Sequence, residues 1–226
     1  TATGADGPEV ANSLLALAIL FRDRSRYDEA EPLFRESLRV RERAHGMDHP
    51  DVAEALVSLG VQLEHTGRYA DAEAAYRRAL GIQERHSEAD PIAISTALSN
   101  LGLYLMYQNR ESEAEDPLRQ ALEIRRTALG DPHVGLIDPL LNLAGWHRRV
   151  RRFDDAEPYV REAVDICRSQ LAPDHPKTLN ALGNLAALYQ DMSNYQAAEP
   201  VYRETVELQR RVNGEMHKET ATTTNN

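Results

Sequence analysis

Amide side chains return to one place along this chain. Asn100, Asn142 and Asn184 stand 42 residues apart, Asn226 continues the step, and Ser58 holds the same slot one step earlier. A carboxamide offers both a donor and an acceptor. A row of them can hold the backbone of an extended peptide without reading its sequence, or can tie one helix to the next. Asn is a mediocre residue inside helices, so its recurrence at a fixed step is informative. The other concentrated chemistry is basic: Arg148, Arg149, Arg151 and Arg152 form a run beside Trp146 and His147. Such a run can grip a carboxylate or phosphate in bidentate fashion, or can sit favourably at a helix C-terminus with no ligand at all. His49, His133, His175 and His217 lie 42 or 84 residues from their nearest copies, which makes them loop-closing residues of separate units and argues against a metal. Cys167 is the only cysteine, and its spacing to the histidines matches no metal pattern. The chain has no HExxH helix, no Gly-rich loop ending in Lys-Ser or Lys-Thr, and no Gly-x-Ser-x-Gly elbow. Its acidic residues fall periodically, as solvated helix faces paired with arginine do. The sequence therefore implies no enzyme and no cofactor.

Residues spaced by 42 must be positioned by elements spaced by 42. Ala-Glu pairs recur at Ala30-Glu31, Ala72-Glu73, Ala114-Glu115, Ala156-Glu157 and Ala198-Glu199. Leu14, Leu56, Leu98, Leu140 and Leu182 keep the same step, as do Leu17, Leu59, Leu101, Leu143 and Leu185. Each unit reads as two helices. The first carries Leu56, Leu59, Gly60 and Leu63, an i, i+3, i+4, i+7 stripe that needs a partner. The second carries Ala72, Tyr76, Ala79, Leu80 and Ile82. Between them lies one slot occupied by Ser25, Gly67, Asn109, Arg151 and Ser193, mostly turn formers. Gly46, Gly130 and Gly214 suit a helix C-cap, and Pro50 and Pro176 a first helical position. Tyr76 and Tyr202 read as core residues of second helices. Repeats run from about 6–47, 48–89, 90–131, 132–173 and 174–215, with a partial sixth at 216–226. A change such as Leu101→Ala is expected to cost roughly 2–5 kcal/mol.

The Leu59-Gly60 and Leu101-Gly102 pairs, with the Ala72, Tyr76, Ala79 set, resemble the tetratricopeptide repeat. The eight residues beyond the usual 34 and the Asp48-His49-Pro50 and Asp174-His175-Pro176 entries are similar to the kinesin light-chain variant of that repeat. The resemblance spans about residues 6–226 and implies an all-α, right-handed solenoid of tandem antiparallel helix pairs. It also implies that first helices line a concave groove. The side of those helices away from the leucines would present Asn12, Glu54, Thr96, Asp138 and Asn180 in a top row, then Ser58, Asn100, Asn142 and Asn184. Met106, Tyr107, Arg148 and Arg149 would follow at the lower end. In such domains the matching asparagine commonly clamps bound peptide, so that role is expected of Asn100, Asn142 and Asn184. The ordered lysine and asparagine clamp of the chaperone-binding members is incomplete here, which disfavours a heat-shock chaperone tail.

Two places bend the pattern. Gly135 and Pro139 fall where other units already have helix, and Asp138-Pro139 is a good cap and first-residue pair. A shortened first helix beginning near Pro139 rather than Val134 is expected. Pro32, Pro158, Pro200 and, one place later, Pro117 each remove a backbone donor inside a second helix. The chain also stops inside a first helix with no polar capping element, as a piece of a longer protein would.

A net charge of −10, with only Lys177 and Lys218 against 24 arginines, argues against nucleic acid, where Lys and Arg neutralise phosphates. No apolar run nears the ~20 residues that cross a bilayer, so no membrane partner is expected, and a reduced, cytoplasmic setting fits. The expected function is a scaffold that binds a partner's peptide segment in the groove. The alternative is a ligand-sensing or autoregulatory arm of a larger signalling protein, such as a nucleotide-switch ATPase. Self-association through uncapped ends is a further possibility.

Overall fold

The structure, a computed structural model, describes residues 7–86 and 90–213. Asp6, Gly214, His217, Asn226 and the partial sixth repeat lie outside the described residues. Among the described residues ten α-helices follow in order: α1 Pro8–Asp23, α2 Tyr27–His45, α3 Pro50–His65, α4 Tyr69–Arg85, α5 Pro91–Tyr107, α6 Glu111–Leu129, α7 Ile137–Arg149, α8 Phe153–Gln170, α9 Pro176–Asp191 and α10 Tyr195–Asn213. A 3-10 turn at Val134–Leu136 precedes α7. Two compact units emerge, one of α1–α5 ending at Arg110 and one of α6–α10 beginning at Glu111. Within each, consecutive helices pack as antiparallel neighbours, and first helices of successive repeats also touch, α3 with α5 and α7 with α9. This is the all-α repeat solenoid architecture that the 42-residue step requires.

The turn inside each pair is built the same way five times. Ser25, Gly67, Asn109, Arg151 and Ser193 all adopt a left-handed backbone, with φ of 58, 73, 56, 63 and 57°. The amide of the next residue then donates to the carbonyl five residues back, as Arg26 does to Phe21 at 2.9 Å and Arg152 to His147 at 2.8 Å. The left-handed residue itself donates three back, Gly67 to Glu64 at 3.0 Å. These bonds satisfy the last carbonyls of the first helix and reverse the chain.

Small residues set the spacing of the helices. Ala30, Ala72, Ala114, Ala156 and Ala198 are all buried. At Gly60 an added Cβ would lie 2.5 Å from the ring of Tyr76, so the aromatic seats directly on the glycine. Leu56, Leu98, Leu140 and Leu182 are buried, as are Leu59, Leu101, Leu143 and Leu185. Leu17, the first member of its series, is 40% exposed, with no described helix covering it. Tyr202 departs from the expectation of a core position: it is half-buried, and its hydroxyl donates to Gln190 Oε1 at 2.6 Å. Thr205 and Leu208, in the slots of Ala79 and Ile82, are buried as those residues are.

The helix starts hold the main surprise. His49, His133 and His175 are N-caps, their Nδ1 atoms accepting from the amides of Asp51 (3.2 Å), Gly135 (2.9 Å) and Lys177 (3.1 Å). Asp90 performs the same task for α5, accepting from Ile92 at 2.9 Å. The helix α7 is shortened to 13 residues, as expected, but begins at Ile137 rather than Pro139. Asp138 is therefore not its cap; its carboxylate pairs with Lys177 of α9. Pro139 is tolerated inside α7 because the first four helical amides lack intrahelical acceptors anyway. Helices α2, α6, α8 and α10 run unbroken through Pro32, Pro117, Pro158 and Pro200.

Candidate functional site

The face of each first helix away from the leucines carries the residues singled out by sequence, and the structure sorts them by what they touch. Part of the top row, Asn12, Glu54 and Asp138, holds helices together, while Thr96 and Asn180 bond within their own. Arg41, 4% exposed on α2, donates to Asn12 Oδ1 on α1 at 2.9 Å and to the Asp51 carbonyl on α3 at 2.9 Å, and pairs with Glu54. Thr96 donates to the Ile92 carbonyl of its own helix at 2.8 Å.

The next row is different. Ser58 on α3 and Asn100 on α5, in the first unit, are half-buried, as are Asn142 on α7 and Asn184 on α9 in the second. Among the described residues no hydrogen bond joins Asn100 or Asn142 to another helix. Asn184 bonds only within α9, its Nδ2 donating to the Asn180 carbonyl at 2.9 Å and to Asn180 Oδ1 at 3.1 Å. Helix-to-helix ties are made instead one row deeper. Gln62 Nε2 donates to the Tyr27 carbonyl at 3.0 Å, and Trp146 Nε1, 84 residues on, donates to the Glu111 carbonyl at 2.7 Å.

At the C-terminal ends the two units diverge. Arg148 pairs with Asp191 at 2.9 Å and Arg149 with Glu111 at 2.7 Å. The Arg149 contact holds the Glu111 carboxyl below its ordinary range. Both guanidiniums thus already meet a carboxylate of the chain. In the first unit Met106 is half-buried and Tyr107 is 74% exposed. Beside Tyr107 opens a cavity of about 530 Å³ lined by Glu64, His65, Tyr69, Tyr104, Tyr107 and Gln108. Burial pushes the Glu64 carboxyl up, against a smaller opposing effect of Tyr76. The Tyr76 hydroxyl is itself raised, by burial first and by Glu64 second. Neither Glu64 Oε1 nor Tyr76 OH meets a partner in hydrogen-bond geometry. The repeat register places Tyr107 on the groove side of α5, but the cavity it shares with Glu64, Tyr69 and Tyr104 forms only where α3 packs on α5, which spacing alone does not reveal.

Two further groups escaped the sequence. His147 occupies the slot of Leu63 and Leu105 and is buried, stacked on Tyr159 with centroids 5.5 Å apart. Its pKa is lowered, first by burial, with Asp155 and Glu115 acting in the opposite direction. His45, His49 and Asp51 offer ligand atoms within 4.8 Å of one another. However, His49 Nδ1 is engaged as the α3 cap, and the two rings stack with centroids 4.4 Å apart. Stacked rings aim their in-plane lone pairs side by side rather than at one point, so this cluster does not converge as a tetrahedral site does. The Cys167 thiol is buried and pushed up by that burial, the setting of an inert cysteine. No helix among the described residues is long and apolar enough to cross a membrane.

Two family models, both described as Tetratricopeptide repeat, match the chain, one over residues 9–85 and 135–211 and the other over 95–135. Among solved structures, BtubC (BKLC) from P. vanneervenii is similar at a TM-score of 0.80 and 22% identity, over 93% of this chain and 84% of that one. A kinesin light chain with nearly identical TPR-like repeats from Podosopora anserina gives 0.75 and 18%, over 92% and 98%. The apo form of RapI gives 0.75 and 13%, over 89% and 71%. No curated protein matches the chain by sequence. With matches across both units, and helix pairs that fold as those kinesin light chain-like repeats do, the chain belongs to the tetratricopeptide-repeat family.

Proposed function

We propose that this chain holds an extended segment of a partner protein on the leucine-free faces of its first helices. Tetratricopeptide arrays generally serve protein–protein interaction. The finer reading gives Asn100, Asn142 and Asn184 the partner's backbone, with Ser58 adding a hydroxyl in the same slot. The observation that supports it most is that none of those amides bonds to another helix among the described residues. A structural tie would pair them across helices, yet Asn100 and Asn142 make no such bond among the described residues, and Asn184 bonds only within α9. Met106 and Tyr107 add apolar contact, as grooves of helix pairs do. Arg148 and Arg149 can take an acidic partner side chain only by exchange with Asp191 or Glu111, so they contribute little beyond steering. The lone, buried thiol fits a reducing, cytoplasmic setting.

Amide bonds of ~0.5–1.5 kcal/mol each, together with apolar contact at Met106 and Tyr107, support affinities near the micromolar range, about −8 kcal/mol. The test is calorimetry with a peptide mapped from a partner of the full-length protein. Asn142→Ala with Asn184→Ala should weaken binding roughly 5–100-fold at unchanged Tm. Unchanged affinity would remove the clamp. Arg148→Ala with Arg149→Ala is expected to alter mainly the salt dependence.

A further inference from the structure

The cavity at the ends of α3 and α5 has a composition that the peptide-holding reading does not require. Its walls are aromatic: Tyr69 is 45% and Tyr107 74% exposed, with the ring of Tyr104 behind them. Its charge is a single carboxyl. Glu64 is half-buried and pairs with no cation among the described residues, and its buried oxygen has the Tyr76 hydroxyl as its polar neighbour. The cations of the neighbouring turns are already taken. Arg68 pairs with Asp71 and Glu31, and Arg110 with Glu73. His65, the remaining basic ring on the wall, stacks against Tyr27 with centroids 5.2 Å apart.

The second unit shows how the same register looks when the chain supplies the charge itself. Eighty-four residues on, Arg148 stands in the slot of Glu64 and Asp191 in that of Tyr107, and the two pair at 2.9 Å. In the first unit that slot holds the carboxyl and an outward aromatic face, and the cation is missing. A planar guanidinium suits both features, since it stacks on tyrosine rings and presents a fork of donors to a carboxylate. The chain's net charge of −10 favours the approach of such a group.

We propose that this cavity takes an arginine side chain of a partner segment, its guanidinium flat against Tyr107 and Tyr69 and its donors on the Glu64 carboxylate. The inference rests on the peptide-holding reading for the source of the arginine, but the cavity's chemistry is independent of the asparagine row. The occupant is a basic side chain, and the site recognises side-chain charge where the asparagines recognise backbone.

The experiment uses the full chain with ring-labelled tyrosines and three probes at low salt: acetyl-Gly-Gly-Arg-Gly-Gly-amide, its citrulline twin and its lysine twin. Shifts of the Tyr69 and Tyr107 rings report binding. The arginine probe should bind about tenfold more tightly than the citrulline probe, which keeps the shape and loses the charge. Glu64→Gln should abolish that difference. Tyr107→Leu, at an exposed position that the fold tolerates, should weaken the arginine probe ~2–5-fold. Asn142→Ala with Asn184→Ala should leave the probe's affinity unchanged, so loss of the asparagine clamp and loss of this site are told apart. Equal binding of arginine and citrulline, full affinity in Glu64→Gln, or tighter binding of lysine than arginine would each overturn the assignment.

Discussion

At the ends of α3 and α5 the chain leaves a half-buried carboxyl facing three tyrosines. At the ends of α7 and α9, on the same register 84 residues later, it closes an arginine onto an aspartate. The backbone around the two places is alike: both follow leucines buried at the same positions, and both run into a left-handed turn residue, Gly67 in one and Arg151 in the other. The differences that set the chemistry, Glu64 against Arg148 and Tyr107 against Asp191, fall in slots that the repeat does not use for its core, while Tyr104 and Leu188 exchange within it. A solenoid of this kind therefore separates its two tasks by register. Positions facing the next helix are constrained in size, and positions facing away are free to carry charge, amide or aromatic surface.

Among the core slots that differ between the units, one compensated pair gives the sharpest test. Gly60 lies under Tyr76 in the first unit; the same slots in the second hold Ala144 and Val160. Gly60→Ala should destabilise by ~1–3 kcal/mol, because the fully buried Tyr76 ring has nowhere to go. Combined with Tyr76→Val it should cost less than the sum of the single changes in urea titrations. Additive losses would mean that the two pairs are not equivalent solutions.

A smaller contrast lies in pH. Burial lowers the pKa of His147 from its ordinary 6.5, so the folded state resists the proton that the unfolded chain accepts. Its stabilising contribution is present above pH 6.5 and is lost as pH falls from there through the folded value. Glu64 has the opposite sign. Its pKa is raised above 4.5, so its contribution is present below 4.5 and lost as pH rises through the folded value. Denaturation midpoints measured from pH 4.5 to 7.5 should show a flatter acid side for His147→Leu and a loss of the opposing slope for Glu64→Gln. Curves parallel to that of the parent in both variants would show that neither burial matters energetically.

The smallest effect concerns the turns. Gly67 occupies its left-handed conformation at no steric cost, whereas Arg151 does so at φ 63° with a side chain in place. Arg151→Gly should stabilise the second unit by about 0.5–1 kcal/mol, relief of the left-handed strain exceeding the added chain entropy. A loss of stability would indicate that the stacking of Arg151 on Phe153, 5.4 Å from the ring centroid, outweighs the strain.

Much of the fold was legible because the 42-residue step repeats the same small and apolar residues five times. Ala72 or Leu101 alone would say little, but their copies fix two helices and a turn per unit. The turn slot was legible for the same reason, even where Arg151 broke the expected chemistry. The helix starts were harder to read. An imidazole can cap a helix only through one neutral tautomer, and cap preferences favour Ser, Thr, Asp and Asn, so His49, His133 and His175 looked like loop residues. At Pro139 two rules conflicted: the pair with Asp138 suggested a start, but a proline two residues into a helix sacrifices no bond, and the start fell at Ile137. The asparagine row was visible as a pattern, and its lack of ties to other helices was not, because whether an amide is so engaged depends on the neighbouring helix. The cavity was hidden for a related reason: Glu64 and Tyr107 are 43 residues apart and meet only through the packing of α3 on α5.

The burial of Cys167 has a practical corollary. The chain's sole sulfhydryl is enclosed in α8 with no exposed surface and a raised pKa, so it competes poorly for maleimide dyes. A single cysteine engineered on the leucine-free face, at Ser58 or Asn100, would then take the label almost alone. Fluorescence could follow the arrival of a guest at the first unit without first removing the native thiol.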